Sequence, residues 1–424
     1  KTLALSYKDL PTDLKPCFLY FGIYPEDHEI SAFELINLWV AEGFIKSRGG
    51  GGGGEQQEEE VEDVGKDYLN NLIARNLIQV VRRKFNGSVR SCRIHDLLHN
   101  LCILESEKSN FFNTIENVIS SSSPPTPMRV RRVTTHGGGG IGEYISQNRQ
   151  TPHPKVRALL CFSRDATGIR TELLLKKNLE DFRFLRVLKV EWRWELLVPK
   201  EIGNLSHLSY LGLRVPIYGN HSIKLPSTIS NLKNLLTLDV GDFYAKCPTS
   251  IWKMKQLRHI RSISTHGSHI FEVTLPNLQT LDVCGRDVMT YCLLHKFPNL
   301  RKLGIIVSKD ATARINKVFS DAIPVSRKLE NLRLVGHPMF NMESALTLTV
   351  NLSRCQNVGK LRLAGFIIRE LPKPDEMPPN LTKLTLKGTE LEEDPFETLR
   401  RLPKLEILKL SHIWLPRMVM VCSG

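Results

Sequence analysis

Leu232-Lys233-Asn234-Leu235-Leu236-Thr237-Leu238-Asp239-Val240 is the stretch whose reading decides the fold. The same L-x-x-L-x-x-L-x-[LV] spacing returns from Leu205 to Leu213, from Leu275 to Val283 and from Leu402 to Leu410. The apolar residue opening each terminal L-x-L gives the anchors Leu159, Leu188, Leu211, Leu238, Ile260, Leu281, Leu303, Leu332, Leu361, Leu384 and Leu408, spaced 21 to 29 residues apart. Quasi-regular spacing of that length predicts a leucine-rich-repeat array. Alternation points both leucines of L-x-L inward and the middle residue outward, so each repeat adds one short strand that only its neighbours can cover. Stability then comes from stacking, and function from the exposed middle positions.

Those positions, from Leu188 onward, are Lys189, Gly212, Asp239, Arg261, Asp282, Gly304, Arg333, Arg362, Thr385 and Lys409. Half are basic. Lys189, Asp239, Arg261, Asp282, Arg333, Arg362 and Lys409 are the expected contacts of the concave face, where a partner or the chain's own acidic domain sits; the plainer alternative is that they keep the surface soluble.

With 424 residues and 41% hydrophobic content, the chain reads as a soluble protein of ~2–3 domains. No window approaches the ~20 apolar residues of a membrane span. The nine cysteines, Cys17 to Cys422, include no C-x-x-C pair. Scattered thiols point to a reducing, intracellular setting. N-x-[ST] triplets at Asn86, Asn204, Asn220, Asn351 and Asn380 leave secretion as the weaker reading. The chain opens Lys1-Thr2-Leu3 as if mid-domain, which suggests a piece of something longer.

Charge is segregated. The total is +14, yet residues 1–105 hold 12 Lys/Arg against 16 Asp/Glu, a net of −4 that leaves +18 for the remainder. The two parts are either separately solvated or docked on each other electrostatically.

Residues 1–46 read as helices, with a turn at Tyr24-Pro25-Glu26-Asp27. Ser31-x-x-Glu34 reads as a capping box opening a helix with Ala32, Leu35, Ile36, Trp39 and Val40 on one face, ended by Gly43. Gly49 to Gly54 reads as linker, since no Gly-Lys-[Ser/Thr] follows, and the acidic run Glu55 to Asp63 heads a further helix that closes at Asn76. Leu77 to Lys84 and Ser88 to Ile94 form a hairpin around a type I′ turn at Asn86-Gly87, and a helix from Asp96 to about Glu105 turns Leu97, Leu98, Leu101 and Leu104 to the core.

Helices followed by a hairpin describe an α+β winged helix over 1–105, a connector over 106–154 whose Met128 to Val133 caps the first repeat, and an α/β repeat solenoid, a horseshoe, over 155–424. DNA binding is disfavoured: the helix from Ser31 to Glu42 has no Lys or Arg, and only the hairpin (Arg82, Arg83, Lys84, Arg90, Arg93) is basic. Cys284, Cys292 and His295, or His266 and His269, lack structural-zinc spacing. No catalytic constellation stands out, so no enzyme activity is expected.

The order of the pieces resembles the C-terminal part of plant intracellular immune receptors of the nucleotide-binding, leucine-rich-repeat family. The residues that carry it are Leu5-Ser6-Tyr7-x-x-Leu10-Pro11, Cys17-Phe18-Leu19-Tyr20-Phe21-Gly22-Ile23-Tyr24-Pro25-Glu26-Asp27, Leu38-Trp39-Val40-Ala41-Glu42-Gly43-Phe44-Ile45, Tyr68-Leu69-x-x-Leu72-x-x-Arg75-x-Leu77 and Ile94-His95-Asp96-Leu97. The resemblance implies that Ile94-His95-Asp96 corresponds to the family's Met-His-Asp motif, with His95 contacting the ADP phosphates and Asp96 supporting it. An imidazole beside free backbone N–H groups at a helix N-terminus can donate to a phosphate; the alternative is that Asp96 caps the helix and His95 is a surface residue. The family's P-loop has no counterpart in residues 1–424. The resemblance further implies a cytoplasmic receptor, with the periphery of the plasma membrane as the alternative location. Its repeats recognise a pathogen effector or guarded host protein, hold an ADP/ATP-switched module off and release it to oligomerise. A non-switching interaction scaffold from a truncated resistance gene is the alternative.

Overall fold

The computed structural model describes residues 7–45, 60–84, 86–115, 130–136, 155–162, 179, 182–191, 198–214, 223–241, 245–265, 274–284, 296–307, 319, 327–336, 346–348, 350–368 and 370–414. Both glycine runs, the acidic run before Glu60, and Cys292, His295, His266 and His269 lie outside them. The chain divides into two compact units, Lys1–His221 with Asn231–Thr237, and Ser222–Ser230 with Leu238–Gly424.

The first unit opens with α1 (Leu14–Leu19), β1 (Ile30–Ser31), α2 (Ala32–Glu42), α3 (Val61–Ala74), β2 (Gln79–Arg83), β3 (Val89–Arg93) and α4 (Asp96–Ser109). β1, β3 and β2 form an antiparallel sheet in that order. This is a winged helix. α2 ends at Gly43, whose φ of 79° lets the chain reverse while Phe44 N–H bonds Trp39 O at 3.0 Å. Asn76, at φ 56°, closes α3 in the same manner.

Three local expectations change. Ser31 makes no side-chain cap on α2, so the capping box is absent, and Glu34 is only 3% exposed. Gly87 takes φ 74°, Gly87 N–H bonds Lys84 O and Lys84 N–H bonds Ser88 O, so the wing closes between Lys84 and Ser88 and not as a two-residue type I′ turn. On α4, Leu98 and Leu101 are buried, but Leu97 and Leu104 are 62% and 54% exposed. Residues seven apart share a stripe, and this stripe faces away from the core.

β4 (Asn113–Ile115), β5 (Arg132–Thr135), β6 (Ala158–Cys161), β7 (Val187–Glu191) and β8 (Tyr210–Arg214) follow, each parallel to the last. β5 pairs Val133 with Leu159, which carries the repeat register back into the segment before it.

The second unit continues with β9 (Thr237–Asp239), which begins at the division, then β10 (Ala245–Cys247), β11 (His259–Thr265), β12 (Thr280–Cys284), β13 (Lys302–Val307), β14 (Asn331–Gly336), β15 (Leu346–Thr347), β16 (Lys360–Ala364), β17 (Phe366–Ile368), β18 (Lys383–Lys387), β19 (Glu390–Leu391), α5 (Pro395–Leu399) and β20 (Ile407–Ser411). The anchors stand side by side: Ile260, Leu281, Leu303, Leu332, Leu361, Leu384 and Leu408 are successive register partners. β11 carries a bulge between Ile260 and Ile263, with Ser262 at φ 59°, so Arg261 is not directly opposite Asp282. Asparagines tie the turns together: Asn277, Asn299, Asn357 and Asn380 each donate Nδ2 to a backbone carbonyl of the repeat before. Asn380, a sequon residue, therefore spends its amide inside the array.

Candidate functional site

α2 is buried almost all round, through Leu35, Ile36, Leu38, Trp39 and Ala41, which covers more than one face of a helix. One face packs into the winged helix, and Glu34, Asn37 and Glu42 meet the repeat strands. Ala158, Leu160, Val187 and Tyr210 of β6 to β8 belong to the same buried cluster as Trp39 and Tyr24. Two carboxylates of α2 are thus taken from water, and each finds cations.

Glu34 Oε1 accepts from Lys189 Nζ at 2.6 Å, and its Oε2 from Arg214 Nη2 at 2.6 Å. The Lys189 and Glu34 side chains are 2% and 4% exposed. Lys189 Nζ also lies 4.4 Å from the Phe162 ring centroid, 5.6 Å from that of Tyr24 and 3.6 Å from Glu191. Burial alone raises the Glu34 carboxyl, but Lys189 and Arg214 outweigh it and hold it at about 2. Gly212, beside Lys189 in register, leaves room for this lean: a Cβ there would stand 3.3 Å from Lys189 Cγ and 2.8 Å from the Tyr210 ring.

Glu42 takes a two-pronged bond from Arg132, Nε at 2.9 Å and Nη2 at 3.0 Å. The Arg132 guanidinium lies beside both the Phe111 and Phe44 rings, 4.1 and 4.9 Å from their centroids, and its Nη1 donates to Phe111 O. Arg186 Nη1 donates to Glu42 O at 3.3 Å, while Thr134 Oγ1 donates to Ile23 O at 2.9 Å and His136 Nε2 meets the same oxygen at 2.8 Å. A planar fork matched to a carboxylate and packed against rings fixes direction as well as charge. Together the two carboxylates form a latch between helix and strands.

Lys189 is therefore closed to any outside partner; of the two occupants expected for its position, the chain's own acidic domain has taken it. Asp239 is likewise 1% exposed, with Oδ2 accepting from Arg261 Nη1 at 2.9 Å and Oδ1 from Gly241 N–H. Asp282 lies over Gly304. Its carboxyl is pushed up by burial and drawn down less strongly by Arg333 and Arg261. Arg333 and Arg362 are partly exposed, and Lys409 is exposed.

His95 and Asp96 are exposed at the start of α4, far in character from the latch. His95 itself is the N-cap: its Nδ1 accepts from Leu97 N–H at 3.4 Å, and its carbonyl from the N–H groups of Leu98 and His99 at 2.8 and 2.9 Å. The expectation of free backbone donors beside the imidazole is corrected by these bonds, since the helix start satisfies three of its N–H groups on His95. With Nδ1 accepting, Nε2 carries the proton and can donate outward.

Sequence reasoning missed Glu34, Glu42 and Arg132 as site residues. Cys92, Cys161 and Cys355, among the buried free thiols, are pushed by burial up to about 12 and serve packing. No helix among the described residues is long and apolar enough to cross a membrane.

The chain matches the disease resistance protein winged helix domain over residues 23–102 and the leucine-rich repeat region over residues 155–424. It is 36% identical over 427 residues to the ToMV resistance protein Tm-2(GCR236) of Solanum lycopersicum, covering 97% of this chain and 46% of the relative. The ToMV susceptible protein tm-2 of the same plant is also 36% identical, over 428 residues, with coverage of 97% and 46%. Disease resistance protein RPP13 of Arabidopsis thaliana is 33% identical over 411 residues, 96% of this chain and 43% of the relative. The chain spans about half the length of these curated relatives.

Proposed function

Because the chain belongs to the plant disease resistance proteins that join a winged helix domain to a leucine-rich repeat region, we propose that it is the latch and sensor of an intracellular immune receptor. The observation that carries this reading is the buried pairing of Glu34 with Lys189 and Arg214, alongside Glu42 with Arg132. These pairs join the winged helix to the repeats through charges that, Arg214 apart, are buried away from water. Such a latch has two states. Closed, each charge is paired; open, water must replace the partners, and intermediate separations leave buried charges unpaired.

In the full-length receptor the closed latch holds a nucleotide-switched module in its ADP-bound off state. A pathogen effector, or a host protein it alters, engages the repeats and favours the open state; exchange of ADP for ATP and oligomerisation follow. A ligand shifts such an equilibrium only by its preference for one state, so weakening the closed state by a few kcal/mol mimics the ligand. His95, with Nε2–H turned outward at a helix start, fits a phosphate contact. ADP would bring the phosphate charge that His95 reads, and His95 would hold a proton at Nε2. Protein binding rather than catalysis is the work proposed, in the cytoplasm or on the inner face of the plasma membrane.

The test is Glu34→Lys in the full-length receptor, expressed in leaf tissue without pathogen. Ion leakage above wild type at equal abundance is expected. Wild-type silence at equal abundance overturns the latch.

A further inference from the structure

The edge of the sheet beside the C-terminal end of α2 is crowded with arginine. Arg131, Arg157 and Arg186 stand immediately before β5, β6 and β7. They are neighbours across the strands: Arg157 N–H bonds Arg131 O at 2.6 Å, and Arg186 N–H bonds Arg157 O at 2.6 Å. Adjacent strands lie ~4.8 Å apart, so three guanidiniums spring from one row. Arg131 is exposed, and Arg157 and Arg186 are partly exposed.

The fold does not neutralise this row. Among the described residues, Arg131 and Arg157 make no side-chain hydrogen bond or ion pair. Arg186 gives Glu42 O one N–H, at 3.3 Å, of the five that a guanidinium carries. The carboxylate that acts on Arg157 is Glu42, and both its oxygens already accept from Arg132. The charges feel one another: burial draws the Arg157 guanidinium below its ordinary value, and Arg131, Arg186 and Arg132 draw it further, while Glu42 opposes them. Like charges side by side destabilise a sheet, so the row costs stability that a bound anion would return.

We propose that Arg131, Arg157 and Arg186 form a binding site for a small anion carrying more than one phosphate group. A guanidinium fork matches two oxygens of one phosphate, and forks set on three adjacent strands suit neighbouring phosphates of a single molecule. A soluble polyphosphate and the phosphorylated headgroup of a lipid share this chemistry. The bound anion would offset the cations that crowd the Glu42–Arg132 pair. Glu34 and Lys189 take no part in it.

The experiment titrates the 424-residue chain with pyrophosphate and with citrate, which carry similar charge, at near-physiological salt. The row variant is Arg131→Gln with Arg157→Gln. The control, with the same charge change on the wing, is Arg83→Gln with Arg90→Gln. The row variant is expected to lose pyrophosphate affinity by at least about tenfold, and the wing variant by no more than about twofold. Arg131→Lys with Arg157→Lys keeps the charge without the forks and is expected to lose about threefold. Without ligand, the thermal midpoint of the row variant should stand at or above that of wild type; a lower one would show these arginines holding the fold and overturn the proposal. Equal losses in row and wing variants also overturn it, as does citrate bound as tightly as pyrophosphate, which would give the row to a carboxylate-rich segment. Phosphatidylcholine vesicles with and without a phosphatidylinositol bisphosphate distinguish the sources. Vesicle binding that the row variant abolishes supports the site with a lipid headgroup; pyrophosphate binding without vesicle binding supports it with a soluble molecule. Failure here is separable from failure of the latch, which is read from signalling in the absence of any ligand.

Discussion

Glu34 and Lys189 stand 155 residues apart in the chain and meet at 2.6 Å with both side chains buried. Neither has water to fall back on. The first consequence is an asymmetry between breaking the pair and replacing it. Glu34→Ala leaves the Lys189 ammonium buried without its main partner and is expected to lower unfolding free energy by about 3–5 kcal/mol. Glu34→Leu with Lys189→Met is expected to restore most of it, because apolar groups of similar volume need no pairing. Denaturant midpoints of the three proteins check this.

The second consequence concerns acid. The Glu34 carboxyl is held down from 4.5 to about 2. A depressed carboxylate stabilises the fold fully above its unfolded value, and that contribution drains away as pH falls through the folded value. Wild type should therefore lose about 3 kcal/mol from this group between about pH 4.5 and 2. Glu34→Ala has nothing there to lose, so the stability gap between the two proteins should close across that window, as read by urea titrations at each pH.

A third follows from the geometry of Arg132, whose fork meets both Glu42 oxygens while packing against two rings. Lys keeps the charge but loses the second bond and the stacking. Arg132→Lys is expected to cost about 1–3 kcal/mol, close to the full value of a charge-assisted bond. An unchanged thermal midpoint would assign Arg132 to charge alone.

At the other end of the winged helix, Asp96 is exposed on the first turn of α4. Replacing it removes a carboxylate that favours the helix dipole, worth about 0.3–1 kcal/mol. Asp96→Val should thus leave this chain folded while making the full-length receptor signal without a pathogen. Leaf ion leakage at equal abundance measures it, and silence would separate this motif from the switch.

The repeat register was legible from the sequence because stacked leucines have one way to align. Anchors chosen by spacing alone, Leu281, Leu303, Leu332, Leu361, Leu384 and Leu408, are neighbours in the sheet. Alternation also placed Lys189 on the outer face correctly; it said nothing of what covers that face. Glu34 was misread because Ser31-x-x-Glu34 satisfies a local pattern, whereas its partners Lys189 and Arg214 come from repeats far along the chain. Two signals did point there. Apolar residues surround α2 (Leu35, Ile36, Leu38, Trp39), which demands a second packing partner for that helix, and Leu160 occupies a middle position where a polar residue is expected. A doubly packed helix with two carboxylates must find buried cations. The wing turn and the outward stripe of Leu97 and Leu104 were lost for a simpler reason: Asn-Gly permits more than one turn, and the four leucines share one stripe about 120° wide, of which only the Leu98 and Leu101 side is covered.

The most direct measurement is hydrogen exchange on α2 after a change made in the repeats. Lys189→Ala alters β7 and leaves the winged helix sequence unchanged. If the latch holds the two together, the amides of Ala32–Glu42 should exchange at least about tenfold faster along with those of β7 and β8, while the β2 and β3 hairpin keeps its protection. Faster exchange confined to β7, with α2 unchanged, would contradict the account.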